Sequence, residues 1–137
     1  MKTARLVLLL FTIAFAISAN AQNYIGLGEK EIRKVMKDKH KDMLFQTFTN
    51  NSTFKYLKYA DRDEMQTLLF FLTPDSVCKS VRLICDKSLK GLKVKELDGK
   101  FPRNGDNAWI EQKNGRQYLI ELKEEEWSFN ITITQKE

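Results

Sequence analysis

The stretch WSFNITIT, residues 127–134, fixes the most about this chain. Trp127, Phe129, Ile131 and Ile133 alternate with Ser128, Asn130, Thr132 and Thr134. Successive side chains of a strand point to opposite faces, so this period of two describes a strand with one buried and one wet face. The preceding segment repeats the pattern. Arg116 to Lys123 alternates with Tyr118, Ile120 and Leu122 inward, and KEEE turns the chain between the two. Asn114-Gly115 is the strongest short hairpin signal, because both residues accept the left-handed backbone that a tight turn demands. It joins Arg116 to a strand over Ala108 to Gln112.

The first half has the same character. Gly28 to about Phe45 reads as a helix, with Ile32, Val35, Met36, Met43 and Leu44 near helical spacing. Glu29 and Glu31 suit the positive end of its dipole. TNNST, Thr49 to Thr53, is a polar loop. Strands follow at Thr53 to Ala60, Met65 to Leu72 and Ser76 to Cys85, separated by turns at DRDE and at Thr73-Pro74-Asp75. MQTLLFFL is nearly continuous apolar and reads as a central strand covered on both faces. In the third strand Val77, Val81, Leu83 and Cys85 share one face, with Cys78 and Ile84 on the other. The same segment has a helical alternative, with Val77, Val81, Ile84 and Leu89 on one stripe behind a Thr73-Pro74 start. Its β-branched residues favour the strand. Asp86 caps a second helix over Lys87 to Lys100, and Asp98 to Asn107 is a loop.

The expected order is therefore α-β-β-β-α-β-β-β, a pseudo-repeat. It makes an α+β domain with an antiparallel sheet and two helices packed on one face. One six-stranded sheet and two three-stranded sheets both satisfy it.

The N-terminus, MKTARLVLLLFTIAFAISANAQ, has the three parts of a secretory signal peptide: Lys2 and Arg5, an apolar run from Leu6 to Ile17, and an Ala19-Asn20-Ala21 cleavage site. Residues 1–21 are thus expected to be removed and residues 22–137 to form a single domain, exported to the periplasm or the medium. Nothing later in the sequence is long and apolar enough for a membrane helix. Without Lys2 and Arg5 the 23 basic residues become 21 against 18 acidic ones, a net charge of +3. That surplus, with 17 lysines to 6 arginines over the whole chain, argues against nucleic acid as a partner.

The export route makes a disulfide between Cys78 and Cys85 chemically available. Seven strand steps separate their Cα atoms by roughly 23 Å, and seven helical steps by roughly 10 Å, against a bonding limit of roughly 7 Å. Both are expected to be buried, unpaired thiols acting as small hydrophobes. A metal site lacks ligands, since His40 is the sole histidine. Asp61-Arg62-Asp63-Glu64 is too short, and lacks the glycine, for a calcium loop. Asn104-Gly105-Asp106-Asn107 does not open a helix after a strand, so it is no phosphate cradle. No cofactor is expected.

Three stretches carry a resemblance. LLFFLTPDSVCKSVRLICD, LDGKFPRNGDNAWIE and YLIELKEEEWSFNITI resemble segments of small, mostly uncharacterised exported proteins of Gram-negative bacteria, over most of residues 54–134. More loosely, the chain is similar to helix-then-sheet modules of cell-envelope assembly proteins and of inhibitors of secreted enzymes. The resemblance implies an exported α+β module and carries no catalytic residue with it.

The leading functional expectation is a non-enzymatic module that binds a protein or an anionic envelope component. The open sheet face would offer Tyr56, Tyr59 and Trp109, with Trp127, as anchors. The helices would offer a basic surface through Lys34 and Lys37 on one and Lys90 and Lys93 on the other. The rival is a small thiol-dependent hydrolase with Cys85 as nucleophile, His40 as base and Asp86 orienting the imidazole. An inhibitor of a secreted enzyme differs from the first reading only in its partner. The leader is checked directly: the intact mass of the exported protein should begin at Gln22, and a chain retaining Met1 in the exported fraction would overturn it.

Overall fold

The computed structural model describes residues 24–137. The expected leader, cleavage site and first mature residues lie outside them. Helix α1 spans Glu29–Lys39 and strand β1 Met43–Asn50. β2 (Lys55–Asp61), β3 (Gln66–Leu72) and β4 (Cys78–Asp86) follow. A 3-10 turn at Lys87–Leu89 leads into α2 (Lys90–Lys100), and β5 (Ala108–Lys113), β6 (Arg116–Glu124) and β7 (Ser128–Gln135) complete the chain. All seven strands form one antiparallel sheet, ordered β1-β2-β3-β4-β7-β6-β5. The α+β class and the antiparallel pairing agree with the sequence reading.

The element order does not. Four strands follow α1 rather than three, so the pseudo-repeat is unequal. Met43 and Leu44 continue the helical spacing of α1, but the helix stops at Lys39. His40 leaves helical geometry at φ −128°, ψ 59°, and is itself buried. Beyond it, Phe45, Thr47, Phe48 and Thr49 are aromatic and β-branched residues that suit a pleated surface.

The local signals elsewhere are realised. Pro74 sits at the first corner of a turn closed by Ser76 N–H to Thr73 C=O at 2.9 Å. Asn114 and Gly115 take φ of 53° and 75°, the left-handed pair of a tight hairpin. The Asp86 carboxylate accepts from Ser88 N–H at 2.9 Å and caps the 3-10 turn that starts the second helix. The helical alternative for residues 76–85 is not adopted. Val81, Leu83 and Cys85 of β4 pair with Ile133, Ile131 and Phe129 of β7.

One strand face and one side of each helix make the core. Ile32 and Met36 of α1 and Leu97 of α2 join Leu57, Phe70, Leu83, Trp109, Ile120, Phe129 and Ile131 in one cluster. Cys78 and Cys85 both belong to it, as unpaired thiols. Their shared face corrects the expected parity. The pairing of β3 with β4 shifts register between Phe71 and Leu72, which face Ser80 and Cys78. One extra residue in β4 is a bulge that returns Cys78 to the side of Val81 and leaves Val77 exposed.

The second correction concerns β3. Leu68, Phe70 and Leu72 are core, but Thr67, Leu69 and Phe71 on the other face are only half-buried. Among the described residues no helix covers them. A test compares neighbours on opposite faces. Phe70, packed edge-on against Tyr24 and Tyr59, should lose about 3–5 kcal/mol of stability on Phe70→Ala. Leu69→Ala should lose under about 1.5 kcal/mol, closer to a surface substitution. Urea unfolding measures both, and equal losses would mean that the second face is covered.

Candidate interaction face

Because the sheet is antiparallel and in register, its uncovered face can be read row by row. Tyr56, Phe71, Ser80, Thr134, Leu119 and Ile110 lie side by side across six strands. Lys58, Leu69, Arg82, Thr132, Glu121 and Ala108 form the next row, and Ala60, Thr67, Ile84, Asn130 and Lys123 the third. Ala60, small and set between Leu44 and Thr67, is the one buried member. The others are half-buried or exposed.

Arg82 stands near the middle. Its guanidinium lies 5.4 Å from the Phe71 ring centroid, and Phe71 is tilted against Tyr56 at 5.8 Å. Arg82 Nε is buried and has no hydrogen-bond partner among the described residues, a donor left unmet. The face thus combines apolar and aromatic side chains, short threonines and a cation held over a ring.

Of the residues expected to form an interaction surface, Tyr56 lies on this face. Tyr59 and Trp109 do not. Tyr59 is three residues from Tyr56 and so points into the core, where it meets Phe70 and Phe45 edge-on. Trp109 is fully buried. Its Nε1–H donates to Asp98 at 2.9 Å, and Arg103 lies over the ring while also bonding Asp98. Arg103 and Trp109 together pull the Asp98 carboxyl down to about 2. The group ties the loop after α2 to β5, a structural role. Trp127 is 80 % exposed at the turn between β6 and β7.

The basic helix surface is also corrected. Lys34 and Lys37 are exposed on α1, but Lys90 is bonded to Glu124 at 2.8 Å. Lys93 is buried, on the same stripe as Leu97, with its ammonium 3.8 Å from Glu96. Lys90 and Lys93 thus do not present the free ammonium groups expected of them.

Cys85, His40 and Asp86 are not brought together. Cys85 points into the core, and burial pushes its thiol up to about 11, as it pushes Cys78 to about 12. Such thiols are poor nucleophiles at neutral pH. Asp86, the next residue in the strand, faces the other way and holds Ser88. His40 Nε2 shares a 2.6 Å hydrogen bond with the Tyr24 hydroxyl. Asp61 accepts from Gln66 N–H and orders its turn. Among the described residues no group of three or more His, Cys, Asp and Glu side chains is placed to hold a metal ion, and no helix is long and apolar enough to cross a membrane.

Comparison with protein-family models, with curated proteins and with solved structures finds no match to this chain.

The sequence reading missed Leu69, Phe71, Arg82, Ile84, Leu119 and Ile110 as a surface. Each was within reach of the alternation rule, since each neighbours a core residue in its strand. An apolar run, however, does not say whether its second face is covered by the chain itself or left open.

The burial of His40 sets a pH dependence. Burial lowers the His40 pKa below its ordinary 6.5, against an opposing pull from Asp42. The folded state therefore binds this proton less readily than the unfolded chain. The stability from a neutral His40 is complete above 6.5 and is lost as the pH falls from there toward the lower folded value. The lone histidine makes the check unambiguous: its NMR titration in the folded protein should lie below 6.5. His40→Gln should flatten the fall of the urea midpoint between about pH 7 and pH 5. An imidazole titrating above its ordinary value would refute the sign.

Proposed function

We propose that this chain is an exported, non-enzymatic binding module whose open sheet face docks on a partner protein. The observation that carries the reading is the uncovered second face of the sheet, with Tyr56, Leu69, Phe71, Ile84 and Arg82 at its centre. Seven strands at about 4.8 Å spacing, across three rows, span about 30 Å by 20 Å, on the order of 600 Å². Specific interfaces bury about 800 Å² on each partner, so this face can supply most of one. Aromatic rings and arginine are the side chains that most often dominate binding energy. Threonines between them keep the surface flat and supply hydroxyls without long side chains to immobilise.

An anionic envelope component meeting the helices is less well supported. That reading needs lysines on both helices, and α2 has one of them tied to Glu124 and another buried. An enzyme inhibitor is the same physical proposal with a particular partner. The export half of the proposal rests on the leader in the sequence.

The test places a photoreactive residue at Leu69 or Thr132 on the sheet face, and at Lys95 on α2, in cells that make the protein. A discrete crosslinked species is expected from the sheet positions and not from Lys95, and Arg82→Glu should abolish it. Adducts that form mainly at Lys95, or turnover on a substrate panel without any adduct, would overturn the proposal.

A further inference from the structure

The two edges of the sheet are treated differently. The outer side of β5 is occupied by its own chain: Asn104 N–H donates to Ala108 C=O at 2.8 Å, and Ile110 N–H to Pro102 C=O at 3.0 Å. β1 at the opposite edge pairs only with β2, and among the described residues no strand or loop bridges to its outer side. Exposed edges are commonly guarded by charges or proline on the strand itself. MLFQTFTN carries neither over eight residues, and its one such device is the bulge at Gln46. Leu44 and Phe45 are 42 % and 47 % exposed, and as neighbours they point to opposite sides of the strand.

Beside the first half of β1 runs a groove of 480 Å³. Met43, Phe45 and Tyr59 give it apolar walls, Leu44 borders it along the strand, and Arg33, Lys37 and Lys41 give it positive charge. No carboxylate lines it. Arg33 lies 4.7 Å over the Phe45 ring and is bonded to Glu29. Neither Lys37 nor Lys41 makes an ion pair among the described residues.

We infer that β1 and this groove form a second binding site, distinct from the open sheet face. It takes an extended segment of another protein that alternates acidic and apolar residues and pairs with β1 as an eighth strand. Main-chain hydrogen bonds to the free edge supply affinity, and every second side chain is read by the groove. An acidic segment fits because Lys37 and Lys41 stand at the groove without an ion pair among the described residues, whereas Arg33 is already held by Glu29. A second copy of this chain fits less well. A two-fold pairing of two β1 strands would set both bulges, at Gln46, near the same central positions. It would also bring no carboxylates to Lys37 and Lys41.

The probe is an acetylated, amidated octapeptide alternating glutamate and valine, with the lysine–valine peptide as control, titrated into the 15N-labelled protein. Shifts are expected in the amides of Leu44 to Thr47 and around Lys41, and not at Leu69, Phe71 or Thr132. Binding should weaken with salt. The double variant Lys37→Glu, Lys41→Glu should lose about tenfold or more, as charge reversal at a complementary site does. Both lysines are exposed, so the fold should survive, and Phe45→Lys gives an independent block. Equal binding of the lysine peptide, shifts confined to the sheet face, no binding at all, or a β1-linked dimer in sedimentation would each overturn the inference. None of these outcomes depends on whether the sheet face has its own partner.

Discussion

The pairing of β4 with β7 holds the two halves of this protein together. Each half is a meander, β1 to β4 and β5 to β7, joined by α2, which carries the chain from the middle of the sheet to its far edge. Only where Val81, Leu83 and Cys85 meet Ile133, Ile131 and Phe129 do the meanders become one sheet. The core depends on that seam. Trp109, Ile120 and Phe129 from the second half share a cluster with Leu57, Phe70 and Leu83 from the first, and both helices close over the joined surface. Leu83, Ile131, Ile133 and Phe129 from the seam then pack into the shared core beneath the helices.

A sheet with its helices on one side must leave its other side to water or to a partner. Here that side is neither strongly polar nor strongly charged. Lys58, Arg82, Glu121 and Lys123 are scattered among threonines and apolar residues. Monomeric proteins rarely expose a contiguous apolar surface much above a few hundred Å², and larger ones tend to mark contact sites. On this face the apolar part is the group of Tyr56, Leu69, Phe71 and Ile84, set among those threonines and charges.

Much of the fold was legible where one local rule acts alone. The Asn114-Gly115 hairpin, the Pro74 turn, the Asp86 cap and the alternation of the last two strands each follow from a backbone or side-chain preference that no tertiary contact opposes. Legibility failed where two rules compete. Met43 and Leu44 satisfy both the helical period and a strand, and the buried His40 decides between them. The bulge that turns Cys78 inward has no marker in SVCKSV. The interaction face was less legible still. Tyr56 was identified by type, but Tyr59 and Trp109 were grouped with it although their strand parity sets them in the core. Lys93 was read as surface because lysine is seldom buried, whereas its aliphatic stem extends the apolar stripe of α2.

The strand order has a consequence for how the molecule comes into being. β7 follows the other six strands among the described residues, yet it lies in the interior of the sheet, with β4 on one side and β6 on the other. Until residues 128–135 have been synthesised, β4 has no neighbour on that side and the first meander cannot complete its core. The joined sheet can therefore close only once this strand is in place, so residues 128–135 are the wedge that turns two separate meanders into a single body.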